Sequence, residues 1–345
     1  MTSRAADRIN YLNAGLMLLS CAFAFAVPFE LFLFSYAVLG PLHYLTEISW
    51  LHDRKYFVGG DAPARGPRPD RLWLALVAVA LAVMLAGLLG EKVLRLSVPP
   101  AAEIGLLYVV FVTAAVVVFV KHRPTAALLA LLTVAVVVAF SGSPLFGLLA
   151  LFLVTIVHVL AFTAAFILFG ALKGKSVSAL LSLAVFALCT VSFFVFVPPM
   201  PGWTAGTFVR ESYVSFQSLN AELIKLFNLG TGRSLGEIYG SPAGLAVMRL
   251  IAFAYTYHYL NWFSKTSVIK WHDVPAPRIA LIGVLWAAAV IVYARSYELG
   301  YVVLYVLSVL HVMLEFPLNH QSFAGIAQEL RTLAAGAGRR RTATG

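Results

Sequence analysis

The sequence predicts an all-α protein, a polytopic integral membrane bundle of about ten transmembrane helices, and two observations carry that prediction. Hydrophobic residues make up 61% of the 345 residues and charged residues only 12%, with a mean hydropathy of +0.89. Soluble domains carry about 25% charged residues. Apolar runs of about 17–25 residues, the length that crosses a bilayer as a helix, recur along the whole chain. The composition also excludes disordered, collagen-like and coiled-coil proteins.

The predicted spans follow one another with few long connections. The connections at 121–124 and 141–144 are short and contain proline, which is typical of a chain reversal between neighbouring helices. The ten apolar runs cover residues 10–27, 30–52, 72–90, 104–120, 125–140, 145–170, 176–197, 246–264, 277–294 and 299–318.

The distribution of basic residues predicts the orientation of these spans. With the N-terminus in the cytoplasm, eighteen of the 25 Lys and Arg residues fall in or beside inner connections, as the positive-inside rule requires. An odd number of spans would mix inner and outer connections. Both termini are therefore predicted to be cytoplasmic, in a cell inner or plasma membrane. The net charge of +10 then belongs to loops that face anionic lipid, and it predicts no nucleic-acid partner.

Residues 1–320 are predicted to form a single transmembrane domain. Its long connections are a cytoplasmic loop at 53–71, rich in Gly, Pro and Arg, and an outer loop at 198–243. Within the outer loop, apolar residues at helical spacing over 219–227 predict an amphipathic helix that lies in the membrane interface. Residues 321–345 are predicted to form a basic cytoplasmic tail.

Ionisable side chains inside the spans are concentrated in the even-numbered helices. Such a residue costs about 2.5–3.5 kcal/mol at the centre of a bilayer helix, so by default it indicates function. The candidates in spans two, six, eight and ten are His43, Glu47, His158, His258, His311 and Glu315.

Spans two and ten carry the same pattern, H-x-x-x-E-x-x-x-x-H, at 43–52 and 311–320. Residues four apart lie on one face of a helix, so each span presents an imidazole and a carboxylate together. Measured from the inner end of its span, His258 lies at a depth similar to that of these two pairs, whereas His158 is nearer the midplane. Three helices that bring histidines and glutamates to one level predict a buried metal site. The predicted ligands are His43, Glu47, His258, His311 and Glu315.

A second group of polar residues is a weaker candidate for the same site. His52 lies on the opposite face of an unbroken helix from the first histidine, and reaches the site only if span two unwinds near Ser49. Pro317 predicts a break that would bring His320 inward. His158 is better explained as a buried histidine that is hydrogen-bonded between helices. The second-tier candidates are His52, Asp53, His272, Asp273, His320 and His158.

The predicted ligand types indicate the metal and the chemistry. Histidine and carboxylate ligands without cysteine suit iron, manganese or zinc, and five candidates exceed the four ligands of a closed structural zinc site. Iron, as one ion with open positions or as a pair of ions, is the predicted metal. The surrounding spans are rich in Phe and Leu, so the predicted substrate is lipophilic: a lipid, a fatty acyl chain or an isoprenoid. An oxidative reaction would also need an electron donor. The sequence shows no nucleotide-binding motif, which argues against ATP-driven transport.

The segment GPLHYLTE at residues 40–47 resembles the G-x-x-H-x-x-x-D element of the Brp/Blh-type membrane carotenoid oxygenases. These polytopic proteins hold iron on histidines and cleave β-carotene to retinal. The resemblance implies a shared architecture, a histidine-bound iron and a carotenoid substrate. The chain departs from the family in having Glu47 in place of Asp. Asn261 and Trp262 stand where a later helix of the family carries paired histidines.

Two other functions are compatible with the same residues. The His and Glu side chains would serve equally as a relay in a proton- or ion-coupled transporter. They would also satisfy one another in a protein with a purely structural role, since His43 with Glu47, and His311 with Glu315, form hydrogen-bonding pairs within single helices. Metal content separates the enzyme from both alternatives.

Overall fold

The computed structural model describes residues 3–54, 69–90, 99–198, 205–265, 270 and 273–342. The structure is 90% helix and the described residues contain no strand, which confirms the predicted all-α fold. The helices are α1 (Ser3–Ala26), α2 (Pro28–Phe34), α3 (Gly40–Arg54), α4 (Pro69–Leu89), α5 (Pro100–Phe119), α6 (Arg123–Phe140), α7 (Pro144–Phe152), α8 (Thr163–Gly174), α9 (Val177–Val195), α10 (Thr207–Ser212), α11 (Gln217–Leu226), α12 (Leu235–Gly240), α13 (Pro242–Ser264), α14 (Ala276–Arg295) and α15 (Tyr297–Thr342).

Seven helices in the described part of the chain are long and apolar enough to cross a membrane. Two shorter apolar helices, Trp73–Leu88 and Pro124–Phe140, and the more polar α13 account for the other three predicted spans. Each of the ten apolar runs is therefore helical, while the number of bilayer crossings and their orientation stay predictions. The seven are Ala6–Ala26, Pro28–Asp53, Ala101–Phe119, Pro144–Gly174, Val177–Val195, Ala276–Arg295 and Tyr297–Ala335.

Proline at the first helical positions starts several of these helices. Pro28, Pro144 and Pro242 begin α2, α7 and α13. Proline lacks the N–H that has no partner in the first turn of a helix, and its fixed φ of about −65° matches helical backbone. At α13 the Ser241 side chain also accepts a hydrogen bond from the Gly244 N–H at 2.9 Å, which caps the helix. Proline in the connections therefore determines where these helices begin.

Helix α13 lies at the centre of the bundle. It packs against α1, α2, α9 and α11. Small residues of this helix, such as Ala252 and Ala254, are fully buried. Small side chains let neighbouring backbones approach closely, which favours helix association in membranes. The predicted amphipathic segment forms α11, and its apolar residue Leu223 is fully buried. This helix packs on α13, and its position relative to the membrane interface stays a prediction.

Two helices continue unbroken past the positions where a break would have brought a second-tier histidine to the site; the sequence predicts such a break only at Pro317. Helix α3 runs through Ser49 to Arg54, and α15 runs through Pro317 to Thr342. A proline inside a helix removes one hydrogen bond, which neighbouring groups in a helical membrane protein can compensate. Residues 321–342 of the predicted tail therefore continue the last helix. Most of the predicted loop at 53–71 lies outside the described residues.

Candidate metal centre

Four histidines from four helical segments meet in the interior of the bundle. One ring nitrogen of each lies within 4.8 Å of the corresponding nitrogens of the other three. The side chains are between 1% and 7% exposed. Such a group could hold a metal ion. This cluster, the four-histidine centre, consists of His43, His158, His258 and His311.

Each histidine of the centre lies at a similar distance from the start of its helical segment, 14 to 16 residues after the first residue. At 1.5 Å per residue this is about 21–24 Å along the helix. Helices that begin at one face of the bundle therefore bring their histidines to one level. The first residues of the four segments are Pro28, Pro144, Pro242 and Tyr297.

The closest contacts within the centre join ring nitrogens. Nε2 of His43 lies 3.1 Å from Nε2 of His258. The ring centroids of His158 and His311 are 5.1 Å apart. Nδ1 of His258 is 3.0 Å from Thr163 Oγ1. When Nδ1 donates to that hydroxyl oxygen, Nε2 presents its lone pair to the centre, which is the arrangement a metal ligand needs.

Two carboxylates adjoin the centre. Glu47 Oε2 is 3.0 Å from Nε2 of His43, and His43 lies one helical turn earlier in the same helix. Glu315 Oε2 is 3.2 Å from Nδ1 of His158, which belongs to a different helix. The sequence pattern associates Glu315 with His311, whereas the structure shows its contact to be between helices. All five residues predicted as ligands therefore lie together, and His158 joins them.

Many polar atoms of the centre have no hydrogen-bond partner among the described residues. Apart from the two carboxylate contacts, these atoms are Nε2 of His158, both ring nitrogens of His311 and Nδ1 of His43. A buried polar group left unpaired costs about 1–3 kcal/mol, so such groups normally have a partner. Atoms that share one ion at bond lengths of about 2.0–2.1 Å lie about 3.0–3.4 Å apart. The Glu47–His43 and His43–His258 pairs are 3.0 and 3.1 Å apart, within that range. The four histidines could therefore hold one metal ion.

Aromatic side chains pack on the imidazole rings. Tyr44 stacks on His311 with ring centroids 4.2 Å apart and planes at 23°. Trp262 meets His43 in an edge contact at 5.6 Å and donates its indole N–H to Thr46 Oγ1 at 2.9 Å. From sequence alone these aromatic residues are compatible with a membrane interface belt or with packing beside the site. The structure shows that they pack on two candidate ligands and restrict the orientation of the rings.

The helical segments of His43 and His158 both depart from α-helical geometry. The π-helical segment Ser35–Leu39 joins α2 to α3 just before His43, and Leu153–Phe162 joins α7 to α8 and contains His158. π-Helical turns are rare and are frequent at functional sites. Their different residue spacing rotates the following side chains, so α-helical periodicity does not predict which way His158 points.

The second-tier candidates other than His158 lie away from the centre. His52 and Asp53 contact each other at an exposed helix end, because α3 continues unbroken. Nε2 of His320 lies 3.0 Å from a backbone carbonyl oxygen of α5. Asp273 is exposed, and His272 lies outside the described residues.

His158 is the member of the centre that sequence reasoning underrated. Its depth measured from the basic end of its helix places it nearer the midplane than the others. Its depth measured from Pro144 places it level with them. The distance from Pro144, the first residue of its segment, would have identified His158. All four histidines lie 14 to 16 residues after the start of their segments, whereas the distances to the other ends differ.

A cavity of about 270 Å³ adjoins the centre. It is lined by His158, His258 and His311, and also by Glu103 and Tyr301, which lie near the starts of α5 and α15. Aliphatic and aromatic side chains make up most of its wall. The cavity therefore gives an apolar molecule access to the histidine nitrogens.

No family model matches the chain, and neither a curated protein nor a solved structure does. The resemblance of residues 40–47 to the carotenoid oxygenases stays a prediction. The function of the chain must therefore be inferred from the centre and the cavity.

Proposed function

We propose that the protein is a metal-dependent integral membrane enzyme, a non-haem iron oxidoreductase that acts on a lipophilic substrate. The observation that carries this proposal is a buried four-histidine centre that lines an apolar cavity. A metal that only stabilises a fold is held in a closed site, whereas a catalytic metal needs a position that a substrate can reach. The cavity provides that access.

Coordination chemistry favours iron at this centre. Four imidazoles saturate a tetrahedral zinc ion, whereas an ion with six positions keeps two of them open. Three of the four histidines line the cavity, so a molecule in the cavity would lie next to an ion that they would hold. When bound, iron supplies the oxidation–reduction chemistry that zinc lacks. Zinc and manganese are the alternatives that metal analysis distinguishes.

Glu315 would orient the ring of His158. A carboxylate that contacts a metal-binding histidine at its other ring nitrogen fixes the ring and raises its basicity. The contact of 3.2 Å between Glu315 Oε2 and Nδ1 of His158 suits this role. The sequence predicts both glutamates as ligands, and we propose the orienting role for Glu315 alone. Glu47 contacts His43 at Nε2, the nitrogen that also faces His258, so it would be a ligand and take one of the two positions that four imidazoles leave open.

The cavity wall indicates the substrate class. It includes Leu107, Val154 and Val309, and such side chains bury hydrocarbon favourably. A lipid, a fatty acyl chain or an isoprenoid, including the carotenoid that the resemblance implies, meets this requirement. A reaction that consumes more electrons than the substrate provides would also need an electron-donor partner.

Elemental analysis of the purified full-length protein tests the proposal. We expect stoichiometric iron, or its recovery on reconstitution with Fe(II), and substrate-dependent oxygen consumption with lipophilic compounds. His122→Ala, in an exposed connection, is the control and should keep its metal. Protein that neither contains nor regains metal contradicts the proposal. Liposome flux that follows a pH gradient in metal-free protein, and is lost in Glu47→Gln, would favour the transporter.

A further inference from the structure

The cavity wall beside the four-histidine centre carries a group of hydroxyls. The hydroxyl oxygens of Tyr44 and Tyr259 are 2.9 Å apart. The hydroxyls of Tyr36 and Ser308 also interact with that of Tyr44. All four side chains line the cavity. This group, the hydroxyl patch, consists of Tyr36, Tyr44, Tyr259 and Ser308.

The backbone makes room for the patch at Gly40. Side chains in a helix lean towards its N-terminus, so Tyr44 lies over the residue one turn before it. A Cβ atom on Gly40 would lie 3.0 Å from the Tyr44 hydroxyl and 3.3 Å from the Tyr259 hydroxyl. A side chain at position 40 would therefore require these hydroxyls to shift by a few tenths of an ångström.

The patch retains a hydrogen-bond donor for a ligand. Each hydroxyl has one hydrogen to donate and two lone pairs to accept with. Three contacts centred on Tyr44 use at most three of the four hydrogens, and the fourth is left to donate elsewhere. In an apolar interior an unused donor is costly. Phenylalanine would fill the same wall without that cost, so the hydroxyls indicate a polar partner.

The position of the patch relates it to the chemistry of the centre. Tyr44 stacks on His311, and the Tyr259 ring centroid is 5.1 Å from that of His43. A group held by the patch would thus lie next to the histidines. The patch itself carries no charged side chain. Neutral hydroxyls both donate and accept hydrogen bonds, which suits a neutral oxygen atom.

We propose that the hydroxyl patch binds an oxygen-bearing group, a hydroxyl or a carbonyl, on the lipophilic ligand of this cavity. The ligand is then an oxygenated lipid and not a pure hydrocarbon. The inference rests on the proposed function in taking the cavity as the substrate site. It requires no particular metal.

Binding of matched probes tests this inference. Farnesol and farnesene are isoprenoids of the same chain length that differ by a hydroxyl group, and their affinities would be measured by thermal shift on full-length protein in nanodiscs. One neutral hydrogen bond corresponds to about a threefold to tenfold change in affinity. We expect farnesol to bind more tightly by that factor. Tyr44→Phe and Tyr259→Phe should remove the difference while leaving farnesene binding unchanged.

Tyr305→Phe is the matched control, because Tyr305 lines the same cavity and lies outside the patch. It should preserve the preference for the alcohol. Equal binding of the two probes to the unmodified protein, or no binding of farnesol, overturns the inference, as does a preference that survives both patch substitutions. Metal content measured on the same samples tests the proposed function separately. A metal-free protein that prefers farnesol would support this inference while contradicting the iron enzyme.

Discussion

Helices α6 and α13 have similar lengths and opposite surroundings. Between residues 124 and 140, α6 has no ionisable side chain, and its Leu131 and Val138 are each 69% exposed. Helix α13 contains Arg249, His258 and Asn261, and all three are buried. The more polar helix is thus inside the bundle, and the more apolar helix is at its surface.

This difference shows how polar and apolar helices are distributed between the interior and the surface of a bundle of membrane type. Lipid is as apolar as leucine, so an apolar helix loses nothing by remaining at the surface. A polar side chain must find partners inside the protein. The buried polar residues of α13 therefore indicate the interior and the site.

The largest expected effect is loss of the metal on His158→Ala. If the interior helices are organised around one ion, removing any of the four imidazoles should abolish stoichiometric metal binding, measured by elemental analysis. His320→Ala, which removes a histidine of α15 that contacts a backbone carbonyl oxygen of α5, is the control. Full metal content in His158→Ala would show that metal binding does not depend on His158, which the sequence predicts only as a second-tier ligand.

Replacing Glu315 by Gln should weaken metal binding without abolishing it. Loss of an orienting carboxylate typically costs about 10–100-fold in metal affinity. Competition with a chelator measures the change, with His311→Ala as the variant that loses a ligand outright. Equal loss in Glu315→Gln and His311→Ala would mean that Glu315 is itself a ligand, as the sequence predicts.

Packing substitutions test the contrast between α6 and α13 directly. Ala252→Leu inserts a larger side chain at a fully buried position of α13, and overpacking there should cost about 1–3 kcal/mol. Ala135→Leu adds the same atoms to an exposed position of α6, where the change should be within about 0.5 kcal/mol. Thermal unfolding in detergent compares the two. Equal destabilisation would contradict the assignment of α6 to the surface.

The smallest expected effect is the coupling between two histidines of the centre. If His43 and His311 share one ion, the stability costs of His43→Ala and His311→Ala should be non-additive by at least about 0.5 kcal/mol. A double-mutant cycle run with and without chelator measures the coupling. Additive costs that chelator leaves unchanged would indicate two independent polar pairs.

Much of the fold could be predicted from the sequence. Composition and the length of the apolar runs predicted an all-helical bundle of membrane type, and every apolar run is helical in the structure. The polarity of single residues within those runs identified His43, His258 and His311, because a buried ionisable group stands out against an apolar background. These inferences depend only on residue type and position along one helix.

Only the tertiary structure decided which side chains meet. His158 belongs to the centre and Glu315 contacts it, because a π-helical segment rotates His158 and packing brings the two helices together. His320 was excluded because α15 continues through Pro317, where neighbouring groups can compensate the lost hydrogen bond. Spacing along a chain determines the face of an ideal helix, whereas the direction of that face in space depends on helix packing and on departures from ideal geometry.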